Sequence, residues 1–251
     1  MVFDEPDPDV NKYLCELQNY SRSKDIIFKR YVSYDFCYNY FHNFKNKEEI
    51  KDNMELSCLQ LGFYLASWGL YRGSSKQFLR SHKIYVEVIS RIADEKKLWE
   101  VDVDTYSEGN ICRIIEFKKD IESILSDKFF RLFFDPIIEK ENYKDKQKVS
   151  DTLITKIMMG TFGCVPALDV NFKEFIGYRD LNKESLDKIH SYYIQNRKII
   201  DKYHIKTLDV DYNETENEYK KARLIDYVGF REGEEILKNK DLKRKQKIEK
   251  T

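Results

Sequence analysis

The sequence predicts a mainly α-helical globular domain with a minor two-stranded β element. Hydrophobic residues make up 41% of the chain and charged residues 35%, a balance that can fill a core and excludes a disordered chain. The 251 residues include only 9 glycines and 4 prolines, too few for the many turns of an all-β sandwich. Apolar residues also recur at steps of three and four in several segments, which is the period of a helix.

Two early segments show this helical period. Residues 24–44 contain an aromatic series that suits one wide helix face: Phe28, Tyr31, Tyr34, Phe36, Tyr38, Phe41 and Phe44. After Asn46 the apolar residues alternate at steps of four and three: Ile50, Met54, Cys58, Leu61, Leu65 and Trp68. From Leu56 onward the other faces are apolar too, so this end is predicted to be buried on all sides.

Further helices are expected near residues 78–92, 110–135, 149–159 and 183–204. Ser150 and Asn182 are candidate N-caps, and Gly160 is a candidate helix stop. Residues 98–104 and 207–212 change to an alternation of apolar and acidic residues, which is typical of strands. These two segments are therefore predicted to form the small β element.

A single domain over residues 1–235 is the simplest organisation. The polar run at 139–148, EKENYKDKQK, is either a linker that subdivides this domain or a solvated helical turn. Residues 236–251 are basic with few apolar anchors, and they predict a basic helix or a frayed C-terminal tail, of which the frayed tail is favoured.

Charge and cysteine content exclude several classes of protein. Lys+Arg and Asp+Glu both number 44, so no net field attracts nucleic acid or an anionic membrane. No run approaches the ~18 apolar residues that span a bilayer, and the first residues do not form a signal peptide. Five scattered cysteines with no Cys-x-x-Cys spacing favour reduced core thiols. A cytoplasmic protein is expected.

The segment ASWGLYRGSS forms the first candidate binding site. A fully apolar helix end delivers Trp68 into a turn bracketed by glycines, which let a ligand approach the backbone. Arg72 offers a bidentate fork to phosphate or carboxylate, and Ser74 or Ser75 after Gly73 would cap the next helix. The alternative is a structural corner in which the arginine binds helix carbonyls.

The segment GTFGCVPALD forms the second candidate. Gly160 and Gly163 punctuate a loop in an otherwise glycine-poor chain, where unusual backbone conformations are expected. Cys164 is a candidate nucleophile and Asp169 a candidate acid, base or ligand. No histidine lies nearby in sequence to activate the thiol, so a small core residue is the alternative for Cys164.

Together, ASWGLYRGSS and GTFGCVPALD resemble anchor segments of uncharacterised bacterial helical proteins. The resemblance covers roughly 20 residues and implies no reaction. It implies that the two loops meet in space.

A third signal is the spacing of Arg197 and His204, separated by six residues. It is similar to the Arg-x4–6-His motif of HEPN ribonucleases, small helical domains that often dimerise. The resemblance implies that Arg197 stabilises the scissile phosphate and that His204 transfers a proton. Lys198 follows Arg197, where that family commonly carries Asn, Asp or His.

The fourth signal is acidic. Asp102 and Asp104, and likewise Asp209 and Asp211, would project from one face of a strand and could bind a divalent cation such as Mg²⁺ or Mn²⁺. An acidic, solvated strand face is the alternative, and no other cofactor is predicted.

Three function classes remain from the sequence. The leading one is an anion pocket, for a phosphorylated or carboxylate small molecule, formed by loops 66–75 and 160–169. The second is a helical interaction or assembly module, which includes a homo-oligomer. The third is a HEPN-like ribonuclease, and the sequence alone does not decide whether the chain is an enzyme.

Overall fold

The computed structural model describes residues 6–21, 29–71, 81–133 and 149–248. This part of the chain contains ten α-helices and one two-stranded antiparallel sheet, which confirms the predicted fold class. The helices are α1 (Val10–Ser21), α2 (Val32–His42), α3 (Glu49–Asp52), α4 (Met54–Ser67), α5 (Val86–Asp94), α6 (Glu108–Phe133), α7 (Asp151–Thr161), α8 (Val170–Ile176), α9 (Lys183–Ile200) and α10 (Lys221–Ile248). The strands are β1 (Lys206–Leu208) and β2 (Glu214–Glu218).

One hydrophobic core contains buried side chains from α1 through α10. The segment 139–148 lies outside the described residues, but Leu125 before it and Val149 after it belong to this same core. The predicted domain boundaries stay a prediction.

Several helix ends form where the sequence places them. The Ser150 side chain accepts a hydrogen bond from Leu153 N, and Asn182 accepts one from Ser185 N, so both act as N-caps. Cys37, Cys58 and Cys164 are buried thiols, whereas Cys15 and Cys112 are exposed. The expectation that all five cysteines lie in the core is therefore wrong for two of them.

The predicted pairing of residues 98–104 with 207–212 is wrong. β1 pairs with β2 across a tight turn, in which Asp209 Oδ1 accepts hydrogen bonds from Asp211 N (2.8 Å) and Asn213 N (2.9 Å). β2 has the sequence ETENE, which contains no apolar residue. A search for alternating apolar residues therefore does not detect this strand.

Residues 98–105 instead form two 3-10 turns, Leu98–Glu100 and Val103–Thr105. Their alternating burial is real, because Val101 and Val103 lie in the core. The backbone nevertheless turns, because Asp102 caps the second turn through Val103 N (2.7 Å) and exchanges hydrogen bonds with Thr105. Alternating burial thus occurs here without a strand.

Helix α8 lies directly on α10, with two glycines at the contact. A Cβ atom at Gly229 would lie 2.5 Å from Cδ2 of Phe172, and one at Gly233 would lie 1.9 Å from the backbone oxygen of Asn171. No other residue type allows this approach without a shift of α8.

The distal part of α10 has the form of the basic helix that the sequence left open beside a frayed tail. The helix continues to Ile248, although the side chains at 238–246 are exposed. Lys238 pairs with Glu234 one turn earlier, and Lys240 pairs with Glu174 of α8. Good helix formers and such pairs favour a solvated helix here. None of the described helices has the length and apolar character needed to cross a membrane.

Candidate functional site: a charged cluster beneath Trp68

Trp68 stands at the end of α4, where the chain reverses. Leu70 N donates to Leu65 O (3.1 Å) and Gly69 N to Ala66 O (2.8 Å), while Gly69 has φ +77°. This is the Schellman pattern of a helix end, and it requires a left-handed residue that glycine supplies without strain. Trp68, directly before this turn, is partly buried and packs against the core.

The two glycines of the loop 160–169 serve close packing. A Cβ at Gly160 would lie 2.5 Å from the Tyr64 ring, so α7 contacts α4 at this point. Gly163 has φ +66°, and a Cβ there would lie 2.8 Å from the Tyr38 ring. Both positions therefore need glycine for reasons internal to the fold.

Lys156 joins Trp68 to Asp169. It lies on α7 and is only 3% exposed, with its Nζ 4.2 Å from the centre of the Trp68 ring and 3.7 Å from Asp169 Oδ2. Asp169 caps α8 by accepting a hydrogen bond from Phe172 N (3.0 Å). The ammonium thus has an ion pair and a cation–π contact.

A second ion pair lies deeper, on α10. Arg223 Nη1 donates to Asp226 Oδ2 (2.7 Å), and Asp226 Oδ1 accepts from Ala167 N (2.9 Å) in the loop before α8. The guanidinium also lies 4.6 Å from the centre of the Tyr34 ring. Burial raises the pKa of Asp226, and the charges of Arg223 and Lys156 oppose that rise.

A third carboxyl, Asp35 of α2, completes the cluster. It accepts hydrogen bonds from Tyr219 Oη (2.7 Å) and from Leu208 N of β1 (2.9 Å). Burial raises the pKa of Asp35 to about 7, although these two hydrogen bonds and Arg223 lower it. Asp35 therefore connects β1 to Tyr219, which lies just before α10.

Several buried donors in this cluster have no hydrogen-bond partner among the described residues. They are Trp68 Nε1, Arg223 Nε and the hydroxyls of Tyr34 and Tyr64. Unsatisfied buried polar groups are rare in folded proteins because each costs about 1–3 kcal/mol. Their concentration around Lys156 and Arg223 marks this region as unusual in the fold.

The cluster opens towards solvent at Arg30. Its guanidinium lies 5.0 Å from the centre of the Trp68 ring, which also receives the edge of Tyr31 at 5.5 Å. Two cations, the exposed Arg30 and the buried Lys156, thus contact one indole. Burial lowers the pKa of Lys156, Asp226 and Asp169 oppose that shift, and the positive charges of Arg223 and Arg30 add to it.

The structure brings Trp68 and Asp169 to this cluster, together with the glycine-containing loop. Arg72, Gly73, Ser74 and Ser75 lie outside the described residues. Cys164 is fully buried, and burial raises the pKa of its thiol to about 12. Such a thiol is protonated at neutral pH, which disfavours it as a nucleophile.

Arg197 is exposed in the last turn of α9, and His204 is exposed in the segment that follows the helix. The helix ends at Ile200, so His204 does not continue the row that contains His190 and Arg197. His204 is exposed and pairs with Glu218 Oε2 (3.1 Å). His190 Nδ1 lies 2.8 Å from Val103 O. The ribonuclease hypothesis stays a prediction.

The four predicted metal-binding aspartates are separated into two places. Asp102 accepts hydrogen bonds from Lys221 N (2.7 Å) and Ala222 N (2.9 Å), and so caps α10, while Asp104 pairs with Lys221 Nζ (2.8 Å). Asp209 closes the β1–β2 turn. Asp102 and Asp209 thus accept hydrogen bonds from backbone amides. Neither Asp102 and Asp104 nor Asp209 and Asp211 lie within a strand.

Sequence reasoning missed Lys156, Arg223, Asp226 and Arg30. The first three left a signal, because each interrupts an otherwise apolar helical stretch: TLITKIMM around Lys156 and ARLIDYV around Arg223 and Asp226. A charge on the apolar face of a helix must find a partner inside.

Comparison with protein-family models, with curated proteins and with solved structures found no match for this chain.

Proposed function

We propose that the chain binds a small anionic molecule, a phosphate or a carboxylate, at the cluster beneath Trp68. The observation that carries this proposal is the convergence of Arg30 and Lys156 on one indole ring. Two like charges at one place repel each other, and an anion between or beside them removes that repulsion. The 3.7 Å between Lys156 Nζ and Asp169 Oδ2 is also longer than a hydrogen bond, and oxygen atoms of an anion would supply a closer acceptor.

The unpartnered donors support the same ligand class. Trp68 Nε1, Arg223 Nε and two tyrosine hydroxyls can all donate hydrogen bonds. A site rich in donors favours a ligand rich in acceptors, which phosphate and carboxylate are. Asp169, at the edge of the cluster, would then reject anions that approach from its side and so fix the orientation of the ligand.

Thermal unfolding with candidate ligands tests the proposal. We expect inorganic phosphate, nucleotides, phosphorylated metabolites or small carboxylates to raise the midpoint of the wild type by RT ln(1 + [L]/Kd). Arg30→Gln should reduce this shift while the protein stays folded, because Arg30 is exposed. Lys156→Gln should abolish it.

Arg197→Gln is the matched control, since it removes an exposed arginine on α9 instead of the one at the Trp68 ring. The proposal is wrong if no anion shifts the wild-type midpoint, or if Arg30→Gln and Arg197→Gln reduce the shift equally. Equal reduction would indicate a nonspecific effect of surface charge.

A second candidate function is self-association through α4. Leu56, Leu59 and Phe63 are 47%, 43% and 65% exposed and, with the exposed Ala66, follow one another at steps of three, four and three. This spacing is that of a helix-pairing seam, and a second copy would offer the identical apolar stripe. The stripe favours the assembly hypothesis independently of any ligand.

Light scattering during gel filtration tests self-association. Phe63→Glu should convert a dimer to a monomer, whereas Val210→Glu, at a 69% exposed apolar residue in the hairpin, should leave it a dimer. A monomeric wild type at about 100 μM would exclude this candidate as a stable assembly.

A further inference from the structure

The last turns of α10 are exposed on every side. Residues 238–246, here named the distal segment, are nine consecutive helical residues, and each of them is exposed. Nine helical residues extend for about 13 Å. Lys240 pairs with Glu174 of α8, but no face of the segment is buried. A binding partner can therefore approach the distal segment from most directions.

The distal segment is also strongly basic. Its cationic side chains are Lys238, Lys240, Lys243, Arg244 and Lys245. These five cations and the acidic Asp241 give the segment a net charge of +4, whereas the whole chain has no net charge. The helix dipole favours cations in the last turn of a helix. Lys238, Lys240 and Lys243 precede the last turn, because α10 continues to Ile248, so the dipole does not explain the charge of the whole segment.

The uncharged side chains of the distal segment share one face of the helix. Asn239, Leu242 and Gln246 follow one another at steps of three and four, the spacing of side chains on one side of a helix. Gly233 and Lys240, which contact α8, mark a different side. At about 100° per residue, the two sides are separated by at least about 100°. The face that contains Asn239 and Gln246, here named the amide face, is therefore turned away from α8.

Lysines border the amide face on both sides. By the same helical rotation, Lys243 lies along one edge of the face, and Lys238 and Lys245 lie along the other. Asp241 lies on the opposite half of the helix, about 135° from the centre of the amide face. Hydrogen-bonding amides thus occupy the middle of an exposed surface, cations occupy both edges, and the one carboxylate lies behind it.

We propose that the distal segment binds duplex DNA by entering its major groove, with the amide face towards the base edges and the bordering lysines towards the phosphates of the two strands. A helix about 10–12 Å across fits a groove about 12 Å wide. Asparagine and glutamine amides can form paired hydrogen bonds with adenine in that groove. Lysines on both edges match a groove that has phosphates on both sides, and they release counterions when they bind them. The inference does not depend on the anion site beneath Trp68.

Other partners fit the distal segment less well. A lipid surface and a protein groove both bind a helix through a row of apolar side chains, but Leu242 is the single apolar residue between 238 and 246. Ion pairs with an acidic protein surface would be exposed and would contribute little. The major groove of duplex RNA is deep and too narrow for side chains to read. Duplex DNA meets both the charge and the shape of the segment.

Fluorescence anisotropy with a labelled, mixed-sequence DNA duplex of about 24 base pairs tests the proposal. We expect the full chain to bind with a Kd between about 1 and 100 μM, and the logarithm of the association constant to fall with the logarithm of the NaCl concentration with a slope of about −2.7. This slope corresponds to three lysine–phosphate contacts at about −0.9 each. Truncation after Leu237 should abolish binding, while circular dichroism checks that the truncated chain stays folded. Failure of the full chain to bind, or undiminished binding by the truncated chain, would overturn the proposal.

Two substitutions of equal charge test the orientation of the helix, and they decide the case if the truncated chain fails to fold. Gln246→Glu and Arg244→Gln each lower the net charge by one, but Gln246 lies on the amide face and Arg244 on the opposite side. Gln246→Glu should weaken binding at least about tenfold, because it brings a carboxylate to the base edges and phosphates, whereas Arg244→Gln should weaken it less than about threefold. Equal weakening by the two variants would indicate attraction by charge alone and would overturn the proposal. Equal or tighter binding to an RNA duplex of the same sequence, or to vesicles of phosphatidylserine and phosphatidylcholine, would also overturn it.

Discussion

The two halves of α10 share one helix but lie in different environments. In the proximal half, Arg223 and Asp226 form a buried ion pair, and Gly229 and Gly233 lie against α8. In the distal half, the side chains of residues 238–246 are exposed and most of them are charged. The backbone is helical throughout, so helicity itself does not reveal where stability resides. Packing and the pairing of buried charges distinguish the halves, and substitutions can measure the difference.

The largest effect is expected from Arg223→Met. This change leaves Asp226 buried without its ion-pair partner, which typically costs about 3–5 kcal/mol. Arg244→Met in the exposed half should change the free energy of unfolding by less than about 0.5 kcal/mol. Urea unfolding of both variants measures the contrast. The double variant Arg223→Met/Asp226→Asn should recover part of the loss, because no charge remains unpaired there.

Gly233→Ala is expected to destabilise by about 1–3 kcal/mol. Alanine favours a helix by about 1 kcal/mol over glycine, but its Cβ would overlap the backbone of Asn171, which cannot rotate away. Gly109→Ala on α6 provides the opposite case, because its Cβ would meet nothing closer than Ser107 Oγ at 3.9 Å. Denaturant unfolding should show loss for the first and no loss for the second. Equal effects would contradict the close α8–α10 contact.

The pH dependence of stability should reveal Asp35, which accepts a hydrogen bond from Tyr219 just before α10. Its folded pKa of about 7 exceeds the ordinary value of 3.8, so the folded state binds the proton more tightly. The contribution of Asp35 to the free energy of unfolding therefore decreases as pH rises from about 4 to 7, by up to about 1.4 kcal/mol per pH unit. Asp35→Asn should remove that slope in unfolding measured at several pH values.

His42 should show the opposite slope. Burial and the charges of Lys220 and Lys47 lower its pKa to about 3, below the ordinary 6.5. Its contribution is present above pH 6.5 and is lost as pH falls towards 3. His42→Gln should reduce acid sensitivity, whereas Asp35→Asn should increase it relative to the wild type. The assignment would be contradicted if both substitutions changed the pH slope of the free energy of unfolding in the same direction relative to the wild type.

The smallest effect is expected from truncation after Leu237. The side chains at 238–246 are exposed, and so is much of the Lys240–Glu174 pair, so the loss of that pair should cost no more than about 1 kcal/mol. The thermal midpoint should remain nearly unchanged. A fall of many degrees would show that the distal half contributes to the fold as much as the proximal half does.

The sequence predicts those features that depend on local pattern. The apolar spacing that buries Cys58, Leu61 and Leu65 of α4 is local, as are the N-caps Ser150 and Asn182, and the structure confirms them. The expectation that α4 is buried on all sides from Leu56 onward is wrong, because the apolar residues of its other face, Leu56, Leu59 and Phe63, are exposed. β2 was missed because none of its residues is apolar, and 98–104 was misassigned because alternating burial also occurs in 3-10 turns.

The candidate site depends on contacts between distant parts of the chain. The charges of Lys156, Arg223 and Asp226 are visible within apolar helical stretches, but their partners are not. Nothing local in the sequence indicates that Lys156 meets Trp68, or that Asp226 accepts from Ala167 N. Those contacts arise from the packing of α4, α7 and α10 and require the three-dimensional structure.

The contact of α8 with α10 also sets an order of events in folding. A helix of seven residues is unstable alone, because nucleation is costly and few hydrogen bonds follow. α8 therefore becomes persistent only after α10, which is far later in the chain, has docked against it. Because Asp169 caps α8, its carboxylate is fixed beside Lys156 at the same late step. Amide hydrogens of α8 should consequently exchange together with those of proximal α10, as one cooperative unit.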